Sequence, residues 1–132
     1  MLLLVVSIIT SLSIHSVPSP PSSESGYEPV AVIELFTSQG CSSCPPADKL
    51  LSETIANAGR QHQQIFAMEF HVDYWNRLGW SDPFSDAKFS ERQRDYADKL
   101  DPQSIYTPQM IVNGSREFVG EPNEMLSFLD RG

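Results

Sequence analysis

The chain is short of cysteine. Cys41 and Cys44 are its only cysteines, and neither a second Cys-x-x-Cys nor a paired histidine motif is present to complete the four ligands of a structural zinc site. Positive charge is also scarce. Nine Lys and Arg stand against 17 Asp and Glu, a net charge of −8, and no basic run occurs. That argues against nucleic acid and anionic membrane surfaces as partners; the acidity itself is read as solubility. Internal repeats are absent. So is a run of ~20 apolar residues able to span a bilayer, because Met1–Ile14 is broken by Ser7, Thr10, Ser11 and Ser13. At 132 residues the chain has room for one domain with a modest core.

The ends of the chain differ in character. Residues 1–16 look like a secretory signal, with an apolar stretch and small residues (Ser11, Ser13, Ser16) as cleavage positions, although no Lys or Arg precedes it. Residues 17–28 are a Pro/Ser-rich linker that cannot form a core. The folded domain is expected over residues 29–132, exported to a periplasmic or extracellular setting and off the membrane after signal removal.

The remaining residues are organised around Glu34-Leu35-Phe36-Thr37-Ser38-Gln39-Gly40-Cys41-Ser42-Ser43-Cys44-Pro45-Pro46-Ala47-Asp48. This reads as the end of a buried strand, a short loop and the start of a helix, the setting of thioredoxin-like redox pairs. The free N–H groups and positive dipole end of a helix stabilise the thiolate, which is the nucleophile and soft-metal ligand. Pro45 and Pro46 suit a first helical turn. A purely structural bridge is the competing reading. Closing so short a loop contributes only about 2 kcal/mol in the chain-entropy account, little reason to place both cysteines there. Redox or soft-metal chemistry is preferred.

Val30–Phe36 is a near-continuous apolar run, hence a strand buried on both faces. Glu34 interrupts it. A carboxyl there is either a desolvated acid able to exchange protons with the thiols or a satisfied structural partner. Pro45–Ala58 has helical apolar spacing with Gly59 as its stop, and Ile65–Phe70 is a second, parallel strand. The stretch from His71 to Phe84 then concentrates Tyr74, Trp75 and Trp80 in one loop, either a lid or substrate groove over the cysteines or a satellite apolar cluster. His62, in a polar run, is read as solvated. Asp86–Leu100 is an amphipathic helix with Phe89, Tyr96, Ala97 and Leu100 inward and charges, Arg92 among them, outward. Asn113-Gly114 is a hairpin turn between two strands; Asn113-Gly114-Ser115 also spells a glycosylation sequon, but a tight turn is a poor acceptor. A last helix begins at Glu121-Pro122.

This order, with Cys-x-x-Cys after the first strand and Thr107-Pro108 before the third, resembles the thioredoxin fold. The resemblance implies an α/β domain, β-α-β-α-β-β-α, with a four-stranded mixed sheet of order 2-1-3-4 whose third strand is antiparallel, flanked by helices. It implies a cis Pro108 facing the cysteines, Thr107 offering backbone groups to a bound peptide, and Glu34 as a buried acid taking the proton of Cys44. The Glu34–Asp48 stretch, the His71-Val72-Asp73-Tyr74-Trp75 stretch with Leu78-Gly79-Trp80 and Asp82-Pro83-Phe84, and Tyr106-Thr107-Pro108-Gln109-Met110 together resemble the DUF1223 family over Val30–Gly120. That family brings a thioredoxin-like domain but no established reaction. Its members usually continue into a β-rich C-terminal region, so a short form or a fragment is expected here.

Three functional expectations result. The first is a thiol–disulfide oxidoreductase or redox-active domain needing no cofactor. Cys41 would be the exposed nucleophile, Cys44 the resolving thiol, Trp75, Trp80 and Thr107 the substrate contacts, and protein or small-molecule thiols and disulfides the partners. The second is copper or other soft-metal binding through Cys41, Cys44 and His71. The third is a non-catalytic interaction module using the aromatic loop.

Overall fold

The computed structural model describes residues 31–100 and 105–129; the expected signal segment and linker lie outside them. The apolar run forms β1 (Ala31–Thr37), the hub of the sheet. On one side it pairs in parallel with β2 (Ile65–His71), and on the other it pairs antiparallel with β3 (Gln109–Val112). β4 (Arg116–Phe118) adds antiparallel to β3, giving the order β2-β1-β3-β4. The mixed sheet that the resemblance implies is therefore present. With strands on both edges and helices over both faces, β1 is buried from Ile33 to Thr37, which is why its sequence does not alternate.

The period of two along β1 sorts the molecule into two sides. Ile33 and Leu35 point toward α1 (Pro45–Arg60) and α3 (Pro122–Leu129), packing with Ala47, Leu51, Met110, Val112, Phe118 and Met125. Phe36 points the other way, with Val72, Ile111, Phe70, Tyr96 and Leu100, under α2 (Ala87–Leu100). Truncating a fully buried Leu35 to alanine would cost about 2–5 kcal/mol. β2 is an edge strand. Its Phe66 and Met68, in register with Val32 and Glu34, remain exposed.

Local chemistry explains the boundaries. α2 starts after Asp86, whose carboxylate caps it by accepting the Lys88 N–H at 2.9 Å. α1 does not stop at Gly59. It runs on to Arg60, and the left-handed position falls to His62 (φ 56°), with the Gln63 N–H donating to the Ala58 carbonyl at 3.0 Å in a Schellman closure. Asn113 (φ 50°) and Gly114 (φ 63°) form the expected Asn-Gly turn, here within a three-residue connection because Val112 pairs with Arg116, and the Ser115 N–H donates to the Val112 carbonyl. The Asn113 side chain accepts the Val32 N–H at 2.8 Å, tying the turn to β1. Among the described residues no helix is long and apolar enough to cross a membrane.

Candidate functional site

Past Thr37 the chain turns tightly. Ser38 accepts the Gly40 N–H on its hydroxyl and the Cys41 N–H on its carbonyl, each at 3.1 Å. The Cys44 N–H then donates to the Cys41 carbonyl at 3.3 Å, and α1 begins with Cys44 as N-cap. Cys41 and Cys44 are joined in a disulfide, with Cα atoms 5.4 Å apart. Two expectations about this pair change. Cys41 is not exposed: it is 2% accessible and Cys44 is 0%. Nor does the helix start supply its full set of N–H donors, because prolines occupy the first two positions and the Ala47 N–H is bonded to the Cys44 carbonyl. The donor near Cys41 is instead the Ser43 hydroxyl, 3.5 Å from Sγ. The same hydroxyl lies 3.4 Å from the Thr107 carbonyl oxygen. A disulfide sulfur carries no hydrogen and a carbonyl oxygen only accepts, so the single Ser43 proton serves either the sulfur or the Thr107 carbonyl, not both at once.

That second contact sets the Thr107–Pro108 segment against the disulfide loop, and the peptide bond between them is cis. Trp75 completes the bracket. Its indole N–H donates to the Thr107 hydroxyl at 2.8 Å, while a Cβ at Gly40 would lie 3.2 Å from the Trp75 Cβ. A side chain at Gly40 would therefore push the aromatic loop away. Trp80 is exposed but tied to the same turn, donating to the Gln39 side-chain oxygen at 3.2 Å. The stretch from His71 to Phe84 thus packs on the cysteine loop, and within it Asn76–Leu78 is a short 3-10 turn.

Asp82 holds this packing together. Its buried carboxylate accepts the Gln39 N–H at 2.8 Å, the Phe84 N–H at 2.9 Å and His71 Nδ1 at 2.7 Å. Desolvation pushes its pKa up, but the hydrogen bonds and the His71 charge outweigh that and hold the carboxyl below its ordinary value. His71 is accordingly committed through Nδ1 to Asp82. Among the described residues no group of three or more His, Cys, Asp or Glu side chains is placed to hold a metal ion, so the set Cys41, Cys44 and His71 does not converge.

Two further acids lie on the α1 side. Asp48, one helical turn after Cys44, accepts the Thr37 hydroxyl at 2.7 Å. Glu69, opposite Leu35 in the sheet, has its pKa raised by desolvation and by the Asp48 charge, with His71 opposing. Glu34 is elsewhere. Period-two alternation turns it to the α2 side, where Arg92 grips it with two bonds, Nε at 2.5 Å and an Nη at 2.9 Å, and the Tyr96 hydroxyl donates at 2.5 Å. Glu34 is an ion-pair partner there, and Arg92 is not a purely solvated residue.

Sequence reasoning missed a buried polar network behind the cis-proline segment. Gln93 donates to the Tyr106 carbonyl at 2.7 Å and to the Gln109 side chain at 2.8 Å, and accepts the Tyr74 hydroxyl at 3.1 Å. Tyr106 and Gln109 both donate to Glu117. A signal existed for Gln93, which shares the helical stripe of Phe89, Tyr96 and Ala97. Asp82 carried no such signal, since its partners come from three separate segments.

The family described as "Protein of unknown function (DUF1223)" matches residues 32–130. No curated protein matches. A crystal structure of a protein from Agrobacterium tumefaciens is similar, with a TM-score of 0.68 and 41% sequence identity over 76% of this chain. The chain spans 44% of the length of that protein.

Proposed function

The chain belongs to the DUF1223 family, and on that premise we propose that it is a thiol–disulfide oxidoreductase working through Cys41 and Cys44. The observation that carries the reading is the disulfide itself, set where β1 feeds α1 and bracketed by Thr107–Pro108 and Trp75. A structural staple needs no such surroundings. A substrate thiolate attacks Cys41 Sγ, the Cys41–Cys44 bond breaks, and its electron pair leaves on Cys44 as a thiolate. A second substrate thiolate then attacks the substrate sulfur of the mixed disulfide, releasing substrate disulfide and the Cys41 thiolate. Two electrons pass from a dithiol to the pair, and two protons end on the protein cysteines. With a disulfide substrate the same steps run backward.

Cys41 is assigned the attacked and attacking role for two reasons. It belongs to the loop, whereas Cys44 is locked into the helix start, and the Ser43 hydroxyl is placed to donate to a Cys41 thiolate. Thiols and disulfides of proteins or small molecules are the partners. The Met1–Ile14 segment supports export to a compartment where disulfides persist. Trapping tests the reading: in Cys44→Ser the Cys41 thiolate should attack a disulfide substrate, release one half of it as a thiolate, and accumulate as a mixed disulfide with the other half. If Cys41 in the reduced protein alkylates no faster than an ordinary cysteine and no mixed disulfide forms, the catalytic role is wrong.

A further inference from the structure

The loop beside the disulfide exposes more apolar surface than the chemistry above requires. Leu78 is 67% exposed, Trp80 59% and Phe84 64%, all within seven positions of one another. Between Asn76 and Ser85 the one exposed charge is Arg77, because Asp82 is buried. Three large apolar side chains exposed on a loop that is hydrogen-bonded to the cysteine turn offer themselves to an apolar partner.

The same loop is tied to the cysteine turn at several points. The Trp75 indole holds Thr107, the Trp80 indole holds Gln39, and the Gln39 N–H is held by Asp82. The disulfide of that turn is itself closed to solvent. A thiol approaching from water cannot reach Cys41 Sγ until something shifts.

We propose that residues 74–84 select the substrate: they dock an extended polypeptide carrying apolar side chains next to its cysteine, and docking releases the indole ties that close the disulfide. This rests on the oxidoreductase reading and names its substrate class. Burying one large apolar side chain outweighs one neutral surface hydrogen bond, so a peptide covering Trp80 and Phe84 offsets the loss of the ties. A small hydrophilic thiol such as glutathione covers neither, and must wait for spontaneous opening. In a chain of net charge −8, Arg77 adds a preference for a carboxylate on the docked segment.

The test compares two thiols reacting with the oxidised Cys44-containing protein, followed by tryptophan fluorescence and by mass. One is a cysteine peptide flanked by leucine and phenylalanine; the other is glutathione, with rates corrected for thiolate fraction. The peptide should react at least about tenfold faster, the factor one partly buried apolar side chain supplies. Leu78→Ser with Phe84→Ser should collapse that ratio to within about twofold, both proteins being folded by circular dichroism. Trp75→Phe keeps the ring and removes the indole N–H; it should speed glutathione and shrink the ratio from the other side. A wild-type ratio near one with both thiols reacting overturns the proposal and leaves the oxidoreductase reading standing. An unchanged glutathione rate in Trp75→Phe overturns the cover. No reaction with either thiol sinks both readings.

Discussion

Replacing Arg92 by alanine isolates the ion pair on the α2 side. Glu34 is 4% exposed, and the substitution removes both guanidinium bonds, leaving the Tyr96 hydroxyl alone on a buried carboxylate. It also removes the cation–π contacts over Phe70 and Tyr96, at 5.3 and 5.5 Å. Breaking a fully buried pair costs about 3–5 kcal/mol. The Arg92 side chain is 45% exposed, so water can replace part of what is lost, and the expected cost is about 2–3 kcal/mol. In urea melts with the disulfide intact, slopes of about 1–3 kcal/mol/M translate this into a midpoint about 0.7–3 M lower. Pairing Arg92→Met with Glu34→Leu should recover most of the loss, because no charge is then left unpaired. A loss below about 1 kcal/mol in Arg92→Ala would show that the pair behaves as an ordinary surface bridge, and the reasoning would fail.

Glu34→Gln should lower stability yet leave the rate and pH profile of mixed-disulfide resolution unchanged, since the carboxylate faces α2; slowed resolution near neutral pH would restore a proton-transfer role. Asp82→Asn should destabilise by about 1.5–3 kcal/mol, the scale of hydrogen bonds to a charged group. Because the Asp82 pKa is depressed from 3.8, its contribution is present above that value and is lost as pH falls through the folded one, so the variant's acid melt should be shallower. Glu69 behaves oppositely. The folded chain holds its proton above the ordinary 4.5, stability declines as pH rises through that window, and Glu69→Gln should be the more stable protein at neutral pH but not below pH 4.5. A variant with Cys41 and Cys44 both changed to serine should stay folded and lose only about 2 kcal/mol, checked by the same urea melts.

What was legible in the sequence is what nearest neighbours decide. The unbroken apolar run of β1, the prolines opening α1, and the Asn113–Gly114 turn each follow from backbone preferences or local burial. The α1 stop was misplaced by that logic: a Schellman closure can use His62 when the bond from Gln63 to Ala58 forms. Side-chain alternation along β1 parts Glu34 from the α1-facing residues, but an unbroken apolar run does not announce it. The Glu34 partner Arg92 was hidden because it lies 58 positions away on a helix face that reads as solvated. The burial of Cys41 was hidden for a similar reason, since it arises from tertiary packing and not from the neighbouring residues of the motif.

β2 has a colloidal consequence. Its outer edge has no partner among the described residues, and Ile65-Phe66-Ala67-Met68-Glu69-Phe70 combines strand-forming residues with a single charge. An open edge of that composition is a template for another copy's strand. Glu69 is the gatekeeper, and its raised pKa means that mild acid silences it early. Handling the protein in weakly acidic buffer at high concentration therefore favours sheet-to-sheet association, whereas neutral buffer keeps the charge that opposes it. Met68, exposed on the same strand, offers a second brake, because oxidation to the sulfoxide would make that edge more polar.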